Sequence, residues 1–212
     1  MSSPIKSIIF DFGGVLLKWD PWSLYNRHFP NETENVERFF QEVDFAGWNA
    51  HQDKGRPFKE GVAILSAQFP HYSHLIQAYH DHWIDSIIGT HDGTVEIVKQ
   101  LKQKGYPLYG LSNWSAETYP LAREKYHFFD LLDDIVLSGA VKHNKPEPEI
   151  YHIMLEIVRR PAQECLFIDD SLPNIQQANR MGFATHHFRS SEELQLDLEN
   201  LGILHTKADH GH

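Results

Sequence analysis

From Thr94 onward the chain alternates short apolar runs with amphipathic stretches, and that alternation restricts it to a parallel sheet covered by helices on both faces. The pattern predicts a helix from Thr94 to Lys104 stopped at Gly105, a strand over Pro107–Leu111 and a helix near Glu117–Lys125. A strand at Asp134–Leu137, a helix over Glu149–Arg159 and a strand at Cys165–Ile168 follow. A helix over Pro173–Met181, ended by Gly182, and a short strand Phe183–Phe188 precede a closing helix Ser190–Leu201, whose Ser190-Ser191-Glu192-Glu193 start is similar to a capping box. One further strand, Ser7–Phe12, stands apart, separated from the rest by a long aromatic-rich helical stretch from about Trp22 to Ile88. Ligands of such sheets bind beyond the carboxyl ends of the strands, so the residues found there decide the chemistry.

Composition narrows the function classes. With 41% hydrophobic and 23% charged residues in a 212-residue chain, one packed unit with an inserted subdomain is expected. The formal charge of −10 speaks against nucleic acid, whose phosphates require clustered Lys and Arg. Cys165 is the sole cysteine, which excludes an intramolecular disulfide, and its apolar run Cys165-Leu166-Phe167-Ile168 predicts a buried strand thiol. The stretch Ile8-Ile9-Phe10 is too short for a signal peptide or a membrane span, so a cytoplasmic protein without a membrane partner is expected, as a monomer or weak homodimer. The polar tail that carries His205, His210 and His212 is expected to fray.

Four strand ends carry distinctive residues: Asp11 after Ile8-Ile9-Phe10, Ser112-Asn113 after Leu108-Tyr109-Gly110-Leu111, Lys145 in His143-Asn144-Lys145-Pro146, and Asp169-Asp170 after Leu166-Phe167-Ile168. In one cleft these types are complementary. Carboxylates hold a hard cation, a hydroxyl and an amide donate to phosphate oxygens, and a lysine neutralises charge. A carboxylate nucleophile divides phosphate ester hydrolysis into two displacements, and for that Asp11 must be ionised, a state that Lys145 and a nearby cation are expected to favour by lowering its pKa.

The chain here resembles the haloacid dehalogenase superfamily. Its first motif is matched by Ile8-Ile9-Phe10-Asp11-Phe12-Gly13-Gly14-Val15-Leu16, its second by Leu111-Ser112-Asn113, its third by Lys145-Pro146-Glu147-Pro148-Glu149-Ile150-Tyr151, and its fourth by Phe167-Ile168-Asp169-Asp170-Ser171-Leu172-Pro173-Asn174. The resemblance covers roughly residues 5–20 and 90–190. It implies an α/β, Rossmann-like doubly wound parallel sheet, with a helical cap at 17–88 inserted in a core of 1–16 and 89–204, and 205–212 as tail. It further implies an Asp11 nucleophile and Mg²⁺ held by Asp11, the Gly13 carbonyl and Asp170, with Asp169 an outer partner. Ser112, Asn113 and Lys145 would bind the phosphate. The aromatics Trp22, Phe39, Phe40, Trp48 and Phe58 read as core of the helical bundle, and Trp48, His51, Asp53 and Arg56 around Gly55 as a helix end and turn.

Phosphatases of this superfamily mostly carry a second Asp two residues past the nucleophile, as general acid and base. Gly13 occupies that position here and cannot transfer a proton, which forgoes a contribution of about 10²–10⁴-fold unless another group supplies it. The Asp-x-Gly pattern is similar to a sugar phosphatase branch that includes a glucose-1-phosphate phosphatase, and the expected reaction is Mg²⁺-dependent hydrolysis of a small phosphorylated metabolite. Two other readings stay open. One is a metal-free 2-haloacid dehalogenase using Asp11, with which Lys145, Tyr151 and Asn113 are compatible but the Asp169-Asp170 pair is not. The other is a binding or regulatory domain with little turnover, permitted by Gly13.

Overall fold

The computed structural model describes residues 4–204, so the expected fraying of the tail lies outside the described residues. Strand β1 (Ser7–Phe10) opens the fold and is followed by a short strand β2 (Leu17–Trp19). Five helices come next: α1 (Pro21–His28), α2 (Thr33–Glu42), α3 (Phe45–Asp53), α4 (Phe58–Gln68) and α5 (Ser73–Asp81). The chain then returns through β3 (Ile87–Thr90) to α6 (Asp92–Gln103), β4 (Leu108–Ser112), α7 (Tyr119–Lys125), β5 (Asp134–Leu137), the single turn α8 (Ser138–Val141), and α9 (Pro148–Val158). It ends with β6 (Cys165–Asp169), α10 (Leu172–Arg180), β7 (Ala184–His187) and α11 (Ser191–Asn200).

Five strands form one parallel sheet in the order β5-β4-β1-β6-β7. All four residues of β1 are buried, because both faces of this central strand are covered. Alternate side chains separate accordingly. Ile8 and Phe10 pack with Leu108, Leu166 and Ile168 on one face, whereas Ile9 packs with Leu111, Val136 and Phe167 on the other. Cys165 is buried in β6, as expected of a strand thiol. The order is doubly wound: the chain steps from β1 outward to β4 and β5, then crosses to β6 and β7 on the opposite side. The crevice therefore opens where β1 lies between β4 and β6, at their carboxyl ends.

The strands of this sheet match the sequence expectation to within a few residues, and Ser190 Oγ accepts from the Glu193 N–H at 3.2 Å, half of the anticipated capping box. The stretch from Trp22 to Ile88 departs from continuous helix at its end. Residues 87–90 form β3, which pairs antiparallel with β2 as a separate two-stranded ribbon, so the expected boundary at 88/89 falls inside a strand. This ribbon is only three or four residues long, shifts register at Lys18/Trp19, and leaves Trp19 and Ile88 exposed, so no alternation marks it in the sequence.

Between the two ribbon strands, α1 to α5 enclose an aromatic core. Phe39, Trp48 and Phe58 are buried there as expected, while Trp22 and Phe40 are partly buried against it. Phe45 joins them, with its ring 4.9 Å from that of Tyr79, and the Trp48 indole N–H donates to the Gly61 carbonyl at 3.0 Å, which settles the one polar atom the indole brings inside.

Candidate active site

Asp11 follows β1 directly, and its backbone N–H still pairs with the Ile168 carbonyl at 2.9 Å, which fixes the residue at the centre of the crevice. The residue is buried, with its carboxylate side chain 11% exposed. One oxygen accepts from the Phe12 N–H at 2.7 Å, and the other lies 2.9 Å from Lys145 Nζ. Lys145 reaches it from the loop between α8 and α9, and the same ammonium donates to Asp169 Oδ2 at 2.7 Å and to the Leu111 carbonyl at 2.8 Å. All three of its N–H groups are thus committed to protein acceptors. Lys145, expected at the phosphate, lies at the cavity as the counter-charge between two carboxylates.

Burial works against the Lys145 ammonium, and Asp11 and Asp169 more than offset it, so its pKa lies above the ordinary lysine value. Lys145 alone does not give Asp11 the low pKa expected from lysine and cation together. Desolvation pushes its carboxyl up to about 7, Lys145 offsets only part of that, and Asp169 and Asp170 add to it. Lys145 therefore does not by itself keep the nucleophile ionised.

Asp169, at the end of β6, is fully buried and saturated: Oδ1 accepts from the Ser171 N–H at 2.8 Å, and Asn174 Nδ2 bridges both oxygens at 3.0 and 3.1 Å. Tyr151 in turn donates to the Asn174 carbonyl at 3.1 Å. This network leaves Asp169 holding Lys145 in place. Asn113 clamps the same lysine from the other side: its carbonyl accepts from the Lys145 N–H at 2.7 Å, and its amide donates to the Lys145 carbonyl at 2.9 Å. The expected donation from Asn113 to phosphate is thus reduced to one remaining amide hydrogen. Ser112 is buried, lines the cavity, and has no hydroxyl partner among the described residues. It caps no helix; the turn after β4 is held by Ser115 Oγ, accepting from the Glu117 N–H at 3.2 Å, and by Ser138 Oγ, accepting from the Trp114 N–H at 2.8 Å.

Asp170 is the most open of the three acids. Its carboxyl is raised by desolvation and then by Asp169, and His187 Nε2 donates to its backbone carbonyl at 2.9 Å. Oxygens of Asp11, Asp169 and Asp170 lie within 4.8 Å of one another. With Asp169 saturated, Asp11 and Asp170 remain free to ligate, and the Gly13 carbonyl accepts none of the turn, loop or side-chain hydrogen bonds among the described residues. A set of hard oxygens around carboxyls raised by burial and then by neighbouring carboxylates fits a hard divalent cation such as Mg²⁺. The two glycines differ in what they permit. Gly14 has φ +76°, and a Cβ there would collide with the Asp170 carboxylate, whereas a Cβ at Gly13 would meet nothing within 4 Å. Glycine at 14 is required by the approach of Asp170; glycine at 13 is not required by space.

Above these residues lies a cavity of about 310 Å³. Asp11, Gly13, Ser112, Asn113, Lys145 and Asp170 form its floor, so the structure brings the sequence candidates together, with Asp169 directly beneath. Its walls come largely from residues that motif reading does not find: the apolar Trp19, Trp83, Trp114, Leu17 and Ile87, and the polar Asn49, Asp53 and Tyr79. The aromatics assigned to the bundle core do stay out of the cavity. Asp53, read as part of a turn, points into it, and burial pushes its carboxyl up to about 8.

Residues 5–182 match the haloacid dehalogenase-like hydrolase family. Over 209 residues, 95% of this chain and 98% of the relative, the chain is 27% identical to a sesquiterpene phosphatase of Aspergillus oryzae. It is 24% identical to a D-ribitol-5-phosphate phosphatase of Bacteroides thetaiotaomicron over 85% of this chain and 90% of that protein. Among solved structures, a HAD family enzyme from Bacteroides thetaiotaomicron in complex with magnesium and inorganic phosphate superposes with a TM-score of 0.70 at 23% identity, over 88% of this chain and 95% of that one. That likeness establishes the fold. With four ordered motifs converging on one crevice and the family match spanning most of its length, the chain belongs to the haloacid dehalogenase-like hydrolases.

Proposed function

We propose that this hydrolase is a phosphatase that cleaves a small organic phosphate monoester in two displacements at Asp11. The observation that carries this reading is the position of the Asp11 carboxylate on the cavity floor, one oxygen held by Lys145 and a second acid, Asp170, beside it. In the first displacement the Asp11 carboxylate attacks phosphorus, the bond to the leaving alcohol oxygen breaks, and that oxygen takes a proton. In the second, water enters where the alcohol left, gives up a proton, and displaces Asp11 from phosphorus, releasing inorganic phosphate. The Ser112 hydroxyl and the remaining Asn113 amide hydrogen donate to phosphoryl oxygens. Asp11, the Gly13 carbonyl and Asp170 would hold Mg²⁺, which would supply positive charge to offset the repulsion between nucleophile and phosphate.

Asp170 favours this reading over a metal-free dehalogenase, because an unneutralised carboxylate beside Asp11 would oppose the ionised nucleophile. The inserted helices act as a cap. Residues of α3 and α5 form the polar wall, and three indoles, Trp19, Trp83 and Trp114, surround the space for the alcohol portion. An alcohol with a flat or apolar face suits these walls better than a polyol, for which Asn49, Asp53 and Tyr79 would be the main hydrogen-bonding partners. Acid quenching during turnover, followed by peptide mass spectrometry, tests the mechanism. Phosphate on the peptide containing Asp11 is the expected result, and turnover with phosphate on another residue, or on none in a single-turnover time course, contradicts it.

A further inference from the structure

Both displacements require proton transfer, one to the leaving oxygen and one from the attacking water. Gly13 supplies neither. The two proton transfers occur at the same place, because the water enters the position that the alcohol vacates, opposite Asp11. A group serving both must therefore face Asp11 across the cavity. Apart from Lys145, whose ammonium is engaged by Asp11, Asp169 and the Leu111 carbonyl, none of the described residues lining the cavity is basic, and Asp11 and Asp170 are assigned to nucleophile and cation.

Asp53 lines the same cavity as Asp11 and comes to it from the inserted helices rather than from the sheet, at the end of α3. Asn49, one turn earlier, donates to Asp53 Oδ2 at 2.8 Å, and the Tyr79 hydroxyl donates to Asn49 Oδ1 at 3.1 Å, so a chain of three cavity residues orients the carboxyl. The backbone beneath it is anchored to the loops that bear the catalytic residues. Ser138 Oγ donates to the Asp53 carbonyl while accepting from Trp114, the residue after Asn113. Lys142 donates to the Gly55 carbonyl at 3.0 Å, Asn144 Nδ2 to the Ala50 carbonyl at 3.0 Å, and Lys54 pairs with Glu147 at 2.6 Å. Asp53 is thus fixed relative to Ser112 and Lys145 although it belongs to the inserted helices.

We infer that Asp53 is the general acid and base of the reaction, giving its proton to the leaving oxygen as the P–O bond breaks and taking one from the water that attacks phospho-Asp11. This rests on the phosphatase reading. Desolvation keeps the Asp53 carboxyl protonated at neutral pH, the state a proton donor must start from. The carboxylate left after the first step, hydrogen-bonded by Asn49, then receives the proton of the water, and the residue is restored.

The test compares the wild type, Asp53→Asn and Asp53→Asn/Gly13→Asp on an alkyl phosphate and on 4-nitrophenyl phosphate, whose leaving group departs without a proton. For Asp53→Asn the expected loss in kcat/KM is about 10²-fold on the alkyl ester and under about threefold on the aryl ester, with phospho-Asp11 accumulating on acid quench. Gly13→Asp, at a position open to a side chain, is expected to restore at least about tenfold on the alkyl ester. Equal losses on both esters, or no loss on either, would overturn the assignment, since a structural role does not distinguish leaving groups. Asp11→Asn is the separating control. If the wild type releases no phosphate from any ester the phosphatase reading itself fails, whereas an active wild type with an indifferent Asp53→Asn removes Asp53 alone.

Discussion

Replacing Lys145 with Met removes a charge and keeps most of the side-chain volume. The lysine side chain is 1% exposed and neutralises Asp11 at 2.9 Å and Asp169 at 2.7 Å. Without it two carboxylates confront each other in a site already dry enough to raise Asp11 to about 7. Removing one partner of a buried ion pair costs ~3–5 kcal/mol. At roughly 2–4 °C per kcal/mol for a chain of this size, the melting temperature should fall by roughly 6–20 °C. The sign of the pH dependence follows from linkage. Loss of Lys145 raises the folded-state pKa of Asp11 further above 3.8, so the stability deficit is small near about pH 4 and widens as pH rises through about 7 and beyond. Excess Mg²⁺ should recover part of it. Thermal melts followed by circular dichroism, in chelator at about pH 5 and about pH 8, measure this directly. A deficit under about 2 °C at the higher pH, or one equal at both pH values, would refute the role of Lys145 as counter-charge.

Three further outcomes are expected. Asp170→Asn should raise the Mg²⁺ concentration for half-maximal activity about tenfold or more while leaving the fold intact, so an unchanged Mg²⁺ titration would contradict its place as ligand. Gly14→Ala should destabilise by ~1–3 kcal/mol because of its positive φ and the collision with Asp170, whereas Gly13→Ala should stay within about 0.5 kcal/mol of wild type in urea unfolding; similar values for the two would contradict the difference in their surroundings. Asp53 has a folded pKa of about 8 against 3.8 when free, so its stabilising effect is complete below about pH 4 and is lost as pH rises toward about 8, to a limit of about 6 kcal/mol. Asp53→Asn should therefore melt with a flatter pH profile than wild type, and parallel profiles would show that Asp53 ionises normally.

The residues that the sequence revealed share a physical reason for being visible. Asp11, Ser112 and Asp169-Asp170 each terminate an apolar strand, and a polar residue placed there breaks a local pattern that a central parallel strand imposes. Lys145 lacks such a strand and is legible through its Pro-Glu-Pro surroundings. What the sequence does not disclose depends on tertiary placement. Nothing local distinguishes Asp53 from another polar residue at a helix end; its significance comes from the docking of α3 onto Ser138, Lys142 and Asn144, contacts 85 to 94 residues apart. The cavity indoles Trp19, Trp83 and Trp114 come from the ribbon strand β2, a 3-10 turn and the loop after β4, and so share no periodicity. The pKa of Asp11 is likewise a property of the assembled site. Charge complementarity alone pointed downward, and burial, which only the fold reveals, turned it upward.

The most direct measurement is release of inorganic phosphate from a panel of apolar-alcohol, sugar, nucleotide and aryl phosphates by the wild type and Asp11→Asn, with Mg²⁺ present or removed by chelator. Turnover by the wild type that is abolished both by chelator and by Asp11→Asn is the predicted result. Phosphate release that survives in Asp11→Asn, or that is indifferent to the chelator, would contradict an Mg²⁺-assisted displacement at Asp11.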